Sequence, residues 1–234
     1  MTGGARPKAA LVATALEAMA LVGLPITMAI AVFAAPDQTS AASFVAAVVS
    51  LLLFFAAYEI EQPGVRETMP VVVMGALAAA GRILFAPVPD VKPVSAICIV
   101  AGAIFGRRAG FMVGALAALV SNFFFGQGAW TPWQMYAWGL VGWLAGVLAR
   151  AGAFERPWAV YAFGFASGLL YGLVMNLWSL LGFFHPQTLA DALVVWAAAL
   201  PLDLIHSAAT VAFLALLWTP WHRKLTRLKT VYGL

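Results

Sequence analysis

Charge is scarce in this chain, and so are the residues that most often carry chemistry. Asp, Glu, Lys and Arg together make up 9% of 234 residues and 64% are apolar, where soluble domains run at about 25% charged and about 45–50% apolar. A soluble globule is excluded, and the chain reads as an all-α polytopic membrane protein with no room for a separate soluble domain. Cysteine occurs once, as Cys98 inside an apolar run, which removes both a disulfide framework and a cysteine metal site. No Walker loop, H-E-x-x-H or G-x-S-x-G occurs, so hydrolysis and catalysis find no foothold. The chain is therefore read as a non-enzyme, without a cofactor, a metal site or an energy source of its own. Its apolar runs are continuous rather than alternating, which excludes a transmembrane barrel. The formal charge of +4 is assigned to loops that orient the protein in a bilayer rather than to nucleic acid.

What is present is a series of apolar segments at roughly 9 to 35, 41 to 58, 69 to 86, 93 to 105, 109 to 125, 132 to 149, 158 to 183 and 190 to 218. The fourth is short for a crossing, so it is tilted under its neighbours or partly re-entrant, and a count of seven stands as the alternative. With the N-terminus inside and one crossing per segment, eleven of the thirteen basic residues fall on the cytoplasmic side, leaving Lys92 outside and Arg82 near the outer end of the third span. The positive-inside rule thus favours eight spans with both termini cytoplasmic. The N-terminal run lacks a cleavage pattern and is read as a spanning helix. The outer loops then cover Pro36 to Ser40, Pro87 to Lys92, Gly126 to Thr131 and His185 to Thr188. A turn-prone, charged seam at residues 59 to 68 separates two leading helices (1–60) from a six-helix remainder (69–218), and a basic cytoplasmic tail follows at 219–234.

The most informative stretch is Ser121 to Trp138, S-N-F-F-F-G-Q-G-A-W-T-P-W-Q-M-Y-A-W, where the chain turns polar, Gly-rich and Trp-rich together. Thr131 is expected as an N-cap with Pro132 at the first helical position. An aromatic belt accounts for isolated Trp such as Trp143 and Trp158. Three Trp with two Gln in one loop, Trp130, Trp133 and Trp138 with Gln127 and Gln134, go further, because flat rings and a few amides suit an amphipathic ring-containing ligand.

Other polar residues within spans each have a bland reading. Arg82 is a ligand contact or a snorkelling cation. Asp203 and His206 share a face of the last helix, as a relay or substrate contact or as a pair satisfying itself. Glu17 is a coupling-ion site or a neutral, hydrogen-bonded acid in a helix interface, and Asn122 and Asn176 each suit a cross-helix hydrogen bond. Gly75, Ala76, Ala79 and Ala80 form a small-residue face in an alanine-rich chain.

Two runs, G-R-I-L-F-A-P-V-P-D-V-K-P-V-S-A-I from Gly81 and F-G-R-R-A-G-F-M-V-G-A-L-A-A-L-V-S-N-F-F-F-G-Q-G-A-W-T-P-W-Q-M-Y-A-W-G-L-V-G-W-L-A-G from Phe105, resemble the substrate-binding S components of energy-coupling factor (ECF) transporters, most closely the cobalamin-type branch. The resemblance covers about residues 70 to 218. It implies a six-helix S-component core preceded by two extra transmembrane helices, in a bacterial cytoplasmic membrane, taking a vitamin from outside with a T subunit and two cytoplasmic ATPases. It implies a T-subunit contact at Ala76 and Ala80, which match the family's A-x-x-x-A. It also implies a vitamin pocket at Arg82, Asp90, Lys92, Asn122, Gln127, Trp130, Trp133 and Gln134, to which Trp138, Asn176 and His206 are added as substrate-binding candidates; cobalamin or a related corrinoid is the first expected ligand. The alternatives are a proton-coupled secondary transporter using Glu17 or Asp203, and a membrane enzyme using Asp203 and His206 as acid and base.

Overall fold

A computed structural model of the protein describes residues 7–34, 38–184 and 188–233, so Arg6 and parts of the outer loops expected at Pro36 to Ser40 and His185 to Thr188 lie outside the described residues. The described residues form eight α-helices and no strand. These are α1 (Pro7–Ala34), α2 (Thr39–Ile60), α3 (Val65–Leu84), α4 (Val94–Phe105), α5 (Arg107–Phe125), α6 (Trp130–Arg150), α7 (Pro157–Ser179) and α8 (Leu189–Tyr232). Six of them, α1, α2, α3, α5, α7 and α8, are long and apolar enough to cross a bilayer. The chain is a multi-pass membrane protein.

The two remaining helices differ from that pattern for different reasons. The 12 residues of α4 make a rod of about 18 Å, well short of a hydrocarbon core of about 30 Å. It needs no length, because every residue from Val94 to Gly102 is buried and α3, α5, α6, α7 and α8 all pack against it. A helix apolar all round belongs inside protein. The 21 residues of α6 are enough to cross, but its first turns carry Trp130, Thr131, Pro132, Trp133 and Gln134. That helix is the hub of the bundle, touching α2, α4, α5 and α7.

Close helix packing rests on glycine. A Cβ on Gly110 of α5 or on Gly102 of α4 would run into the carbonyl oxygen of Gly142 on α6, so three backbones meet at one point as small-residue interfaces allow in lipid. Gly106, at φ +97°, is the single residue between α4 and α5, a backbone region that residues with a Cβ rarely enter.

The leading hairpin is part of this bundle. Phe54 of α2 stacks on Phe111 of α5 at 3.7 Å between centroids, and α1 and α2 share one apolar core with the rest of the chain. Glu17, expected as a neutral acid, is 1% exposed and ion-paired with two guanidinium groups, Arg107 at 2.7 Å and Arg108 at 2.9 Å. Arg108 also pairs with Glu61 at the end of α2, and the indole N–H of Trp143 donates to Glu17 at 3.3 Å. Paired arginines are what make a buried carboxylate tolerable there.

Helix ends shift from the expected segments where capping chemistry acts. Glu67 accepts the Gly64 N–H at 3.0 Å, which starts α3 at Val65 rather than 69. Thr188 and Asp191 cap each other's backbone at 3.2 and 2.9 Å and start α8. The segment expected to end at 218 and give way to a tail continues as helix through Pro220 to Tyr232. Its 44 residues are about 66 Å long, more than the roughly 40–45 Å of a bilayer with its interfaces. Near its far end the Lys229 ammonium donates to the Ile104 carbonyl at 2.6 Å, fastening that extension to α4.

Candidate functional site

At the end of the bundle away from the Glu17 ion pairs, each helix from α3 to α8 supplies a polar or aromatic side chain to one connected cluster. Arg82, one turn from the end of α3, donates through Nη1 to Ser121 Oγ at 2.7 Å and to Asn122 Oδ1 at 2.6 Å, both at the end of α5. Its guanidinium lies 4.5 Å over the ring of Phe125 and 4.9 Å over that of Trp138. The side chain therefore turns into the bundle, which is the opposite of snorkelling. Among the described residues no carboxylate pairs with it, so its positive charge meets only neutral acceptors and aromatic faces.

Asn122 carries the cluster into α6. Its amide donates to Gln134 Oε1 at 2.8 Å and to Thr131 Oγ1 at 3.1 Å. Gln134 donates to the Tyr171 hydroxyl of α7 at 3.4 Å. The Tyr171 ring is held between Trp138 at 4.6 Å and His206 of α8 at 4.9 Å, stacked on both. His206 Nε2 is 2.8 Å from Ser95 Oγ at the start of α4.

A loop at residues 85–93 closes over this end. The Lys92 ammonium donates to the carbonyls of Phe85 and, at 2.5 Å, Val88, so it ties the loop to itself rather than pointing free. Asp90 holds φ +52°, a left-handed turn position that Asp tolerates better than most residues. Burial pushes the Asp90 carboxyl above its ordinary range, with Lys92 opposing, and burial likewise pulls the Lys92 ammonium down, with Asp90 opposing. Asp90 is within electrostatic reach of Tyr171 in the cluster and of Asp203 on α8, and Lys92 of His206.

The expected residues divide accordingly. Arg82, Asn122, Gln134, Trp138 and His206 converge, and Asp90 and Lys92 sit in the loop above them. Trp130 is half-buried at the rim, edge-on to Trp178 at 6.3 Å. Gln127 is exposed and engaged within its own loop, donating to the Leu119 carbonyl at 3.0 Å and accepting from Thr131 at 2.9 Å. Trp133 does not join the lip: it is 1% exposed in the core. At about 100° per residue Trp133 lies about 100° from Gln134 and about 140° from Trp138 around α6, away from the face that carries those two. The expected N-cap at Thr131 is also corrected, because α6 begins at Trp130 and Thr131 and Pro132 lie inside its first turn.

Asp203 and His206 do not satisfy each other. Asp203 accepts from Asn176 at 3.0 Å while His206 goes to Ser95. The Ser95–His206 contact is fully enclosed, at 0% and 3% exposure, so it holds α4 to α8 and presents no open side to a substrate. Among the described residues no three His, Cys, Asp or Glu side chains come together, and the site presents no set of metal ligands.

Ser95, Phe125 and Tyr171 join the cluster without being conspicuous in the sequence, whereas Ser121 opens the Ser121 to Trp138 stretch. Ser and Phe give no signal in an apolar run. Tyr171 had one available, the spacing of Gly164, Gly168 and Gly172 around it: a Cβ on Gly168 would meet Ser207 and one on Gly172 the Asp203 carboxylate, so that α7 rides directly on α8 and lays the ring on His206.

Residues 63–227 match the family of unknown function DUF6580, and the chain belongs to that family. The match begins in the seam before α3 and leaves the leading hairpin outside it. No curated protein and no solved structure matches the chain.

Proposed function

We propose that this chain is the membrane-embedded binding subunit of a bacterial vitamin importer of the ECF type. It takes its ligand at the Arg82 end, which faces outward with both termini cytoplasmic. It delivers that ligand together with a T subunit and two ATPases, and itself performs no chemistry. The observation that carries this reading is the convergence of side chains from α3, α4, α5, α6, α7 and α8 at one end of the bundle around Arg82. A guanidinium held by neutral acceptors and flanked by rings suits an amphipathic ligand that combines a flat ring system with an anionic group, a carboxylate or a phosphate. Corrinoids with a nucleotide phosphate belong to that class. Ala76 and Ala80 lie on the exposed face of α3, free to receive a partner helix at close range.

The rival proton-coupled reading loses its first candidate, because Glu17 is enclosed by Arg107, Arg108 and Trp143. The test uses purified protein titrated with cobalamin and with cobinamide, which differs in lacking the nucleotide. The Trp130→Ala variant is expected to lose about fivefold or more in affinity, an aromatic contact being worth about 1 kcal/mol, and Arg82→Gln is expected to erase the preference for the phosphate-bearing ligand. Binding of neither compound, or unchanged binding by both variants, sinks the corrinoid assignment. Uptake into proteoliposomes driven by a pH gradient alone sinks the binding-subunit reading itself.

A further inference from the structure

The protein also has a cavity away from the Arg82 end. It is an apolar groove of about 650 Å³ between the exposed face of α3 and the extension of α8, closed at its back by Phe105. Its wall on α3 runs from Arg66 through Val73 to Leu77, and its wall on α8 from Trp221 through Lys224 to Tyr232. The extension of α8, fastened at Lys229, is what turns a flat helix face into a groove.

Two features specify an occupant. The wall contains two cations, Arg66 and Lys224, and no carboxylate, and neither cation has an ion-pair partner among the described residues. Along α3 the eleven-residue rise from Arg66 to Leu77 is about 16 Å, close to half of a hydrocarbon core of about 30 Å. The groove thus has the depth of one leaflet and a charge that complements phosphate.

We propose that this groove binds one anionic phospholipid of the surrounding bilayer, with its headgroup phosphate on Arg66 and Lys224 and an acyl chain along α3. Basic pockets between transmembrane helices take such headgroups. The site is independent of whatever is bound at the Arg82 end, and it places a lipid beside the small-residue face at Ala76 and Ala80.

The full chain is reconstituted in nanodiscs of phosphatidylcholine and phosphatidylglycerol in equal amounts and released for native mass spectrometry. One phosphatidylglycerol per chain is expected to be retained in preference to phosphatidylcholine. In the Arg66→Gln, Lys224→Gln double variant that preference is expected to fall about 30-fold, roughly fivefold for each cation. The Val73→Trp variant, which fills the groove and keeps both cations, is expected to retain neither lipid; should it fail to fold, by circular dichroism, the charge variant decides alone. Equal retention of the two lipids by the wild-type protein, an unchanged preference in the charge variant, or a co-purified polypeptide that Val73→Trp displaces overturns the proposal.

Discussion

At the scale of single residues, two tryptophans three positions apart have separate duties. Trp130 stands at the rim over Trp178, whereas Trp133 is 1% exposed within the core. Truncating Trp133 removes a large buried ring, so Trp133→Ala is expected to cost about 3–5 kcal/mol of stability, measured by unfolding in detergent, while Trp130→Ala leaves the unfolding midpoint nearly unchanged. Equal stability losses in the two variants would contradict this division. Asp90 gives a pH dependence with a defined sign. Its carboxyl is held above the ordinary value of 3.8 by burial, so the folded protein binds that proton more tightly than the unfolded chain does. Stability contributed by the group is present below 3.8 and is lost as pH rises through the higher folded value. Asp90→Asn keeps a residue that accepts positive φ and removes the titration. Its melting temperature is expected to decline less than that of the wild-type protein as pH rises above the ordinary carboxylate range.

At the scale of elements, packing distance decides which helices can meet. Gly102, Gly110 and Gly142 let α4, α5 and α6 touch backbone to backbone, and any Cβ at Gly142 meets the backbone of Gly110. Gly142→Ala is therefore expected to destabilise the protein by about 1–3 kcal/mol, read from thermal unfolding, where alanine at an unpacked helix position would raise stability. The same seam sets the register of the site, because α5 presents Ser121 and Asn122 to Arg82 only if Gly110 and Gly114 seat against α6. At the other end of α5, Arg107 and Arg108 bind Glu17 and Glu61 and thereby fix the leading hairpin to the bundle. Helix existence and order were legible in the apolar runs for all eight segments. Where α3 begins was not, since Gly64–Glu67 acts through a backbone cap that hydropathy does not register.

At the scale of the whole molecule, the bundle is polar at its two ends in different ways. One end holds the Arg82 cluster, and the other gathers the Glu17 ion pairs and the loop at Arg150. The proposed orientation places Gln127 outside and Ala151 inside. Cys98 is 0% exposed and gives no background, so single cysteines report cleanly. In intact cells a membrane-impermeant maleimide is expected to label Gln127→Cys at once and Ala151→Cys only after permeabilisation. The reverse pattern would invert the molecule and with it the proposed direction of capture.

Composition and periodicity alone determined the solvent: a chain with 9% charge and long apolar runs has nowhere to fold but a bilayer. They also located most of the candidate site, because Arg82, Asn122, Gln134, Trp138 and His206 are conspicuous where almost everything else is apolar. Only the tertiary structure decided who meets whom. Nothing local says that His206 reaches Ser95 rather than Asp203, that Glu17 closes on Arg107 and Arg108, or that Tyr171 lies between Trp138 and His206. Those pairings join residues 33 to 111 positions apart, and they are set by how closely glycine seams let helices approach, a property of facing surfaces that no single segment contains.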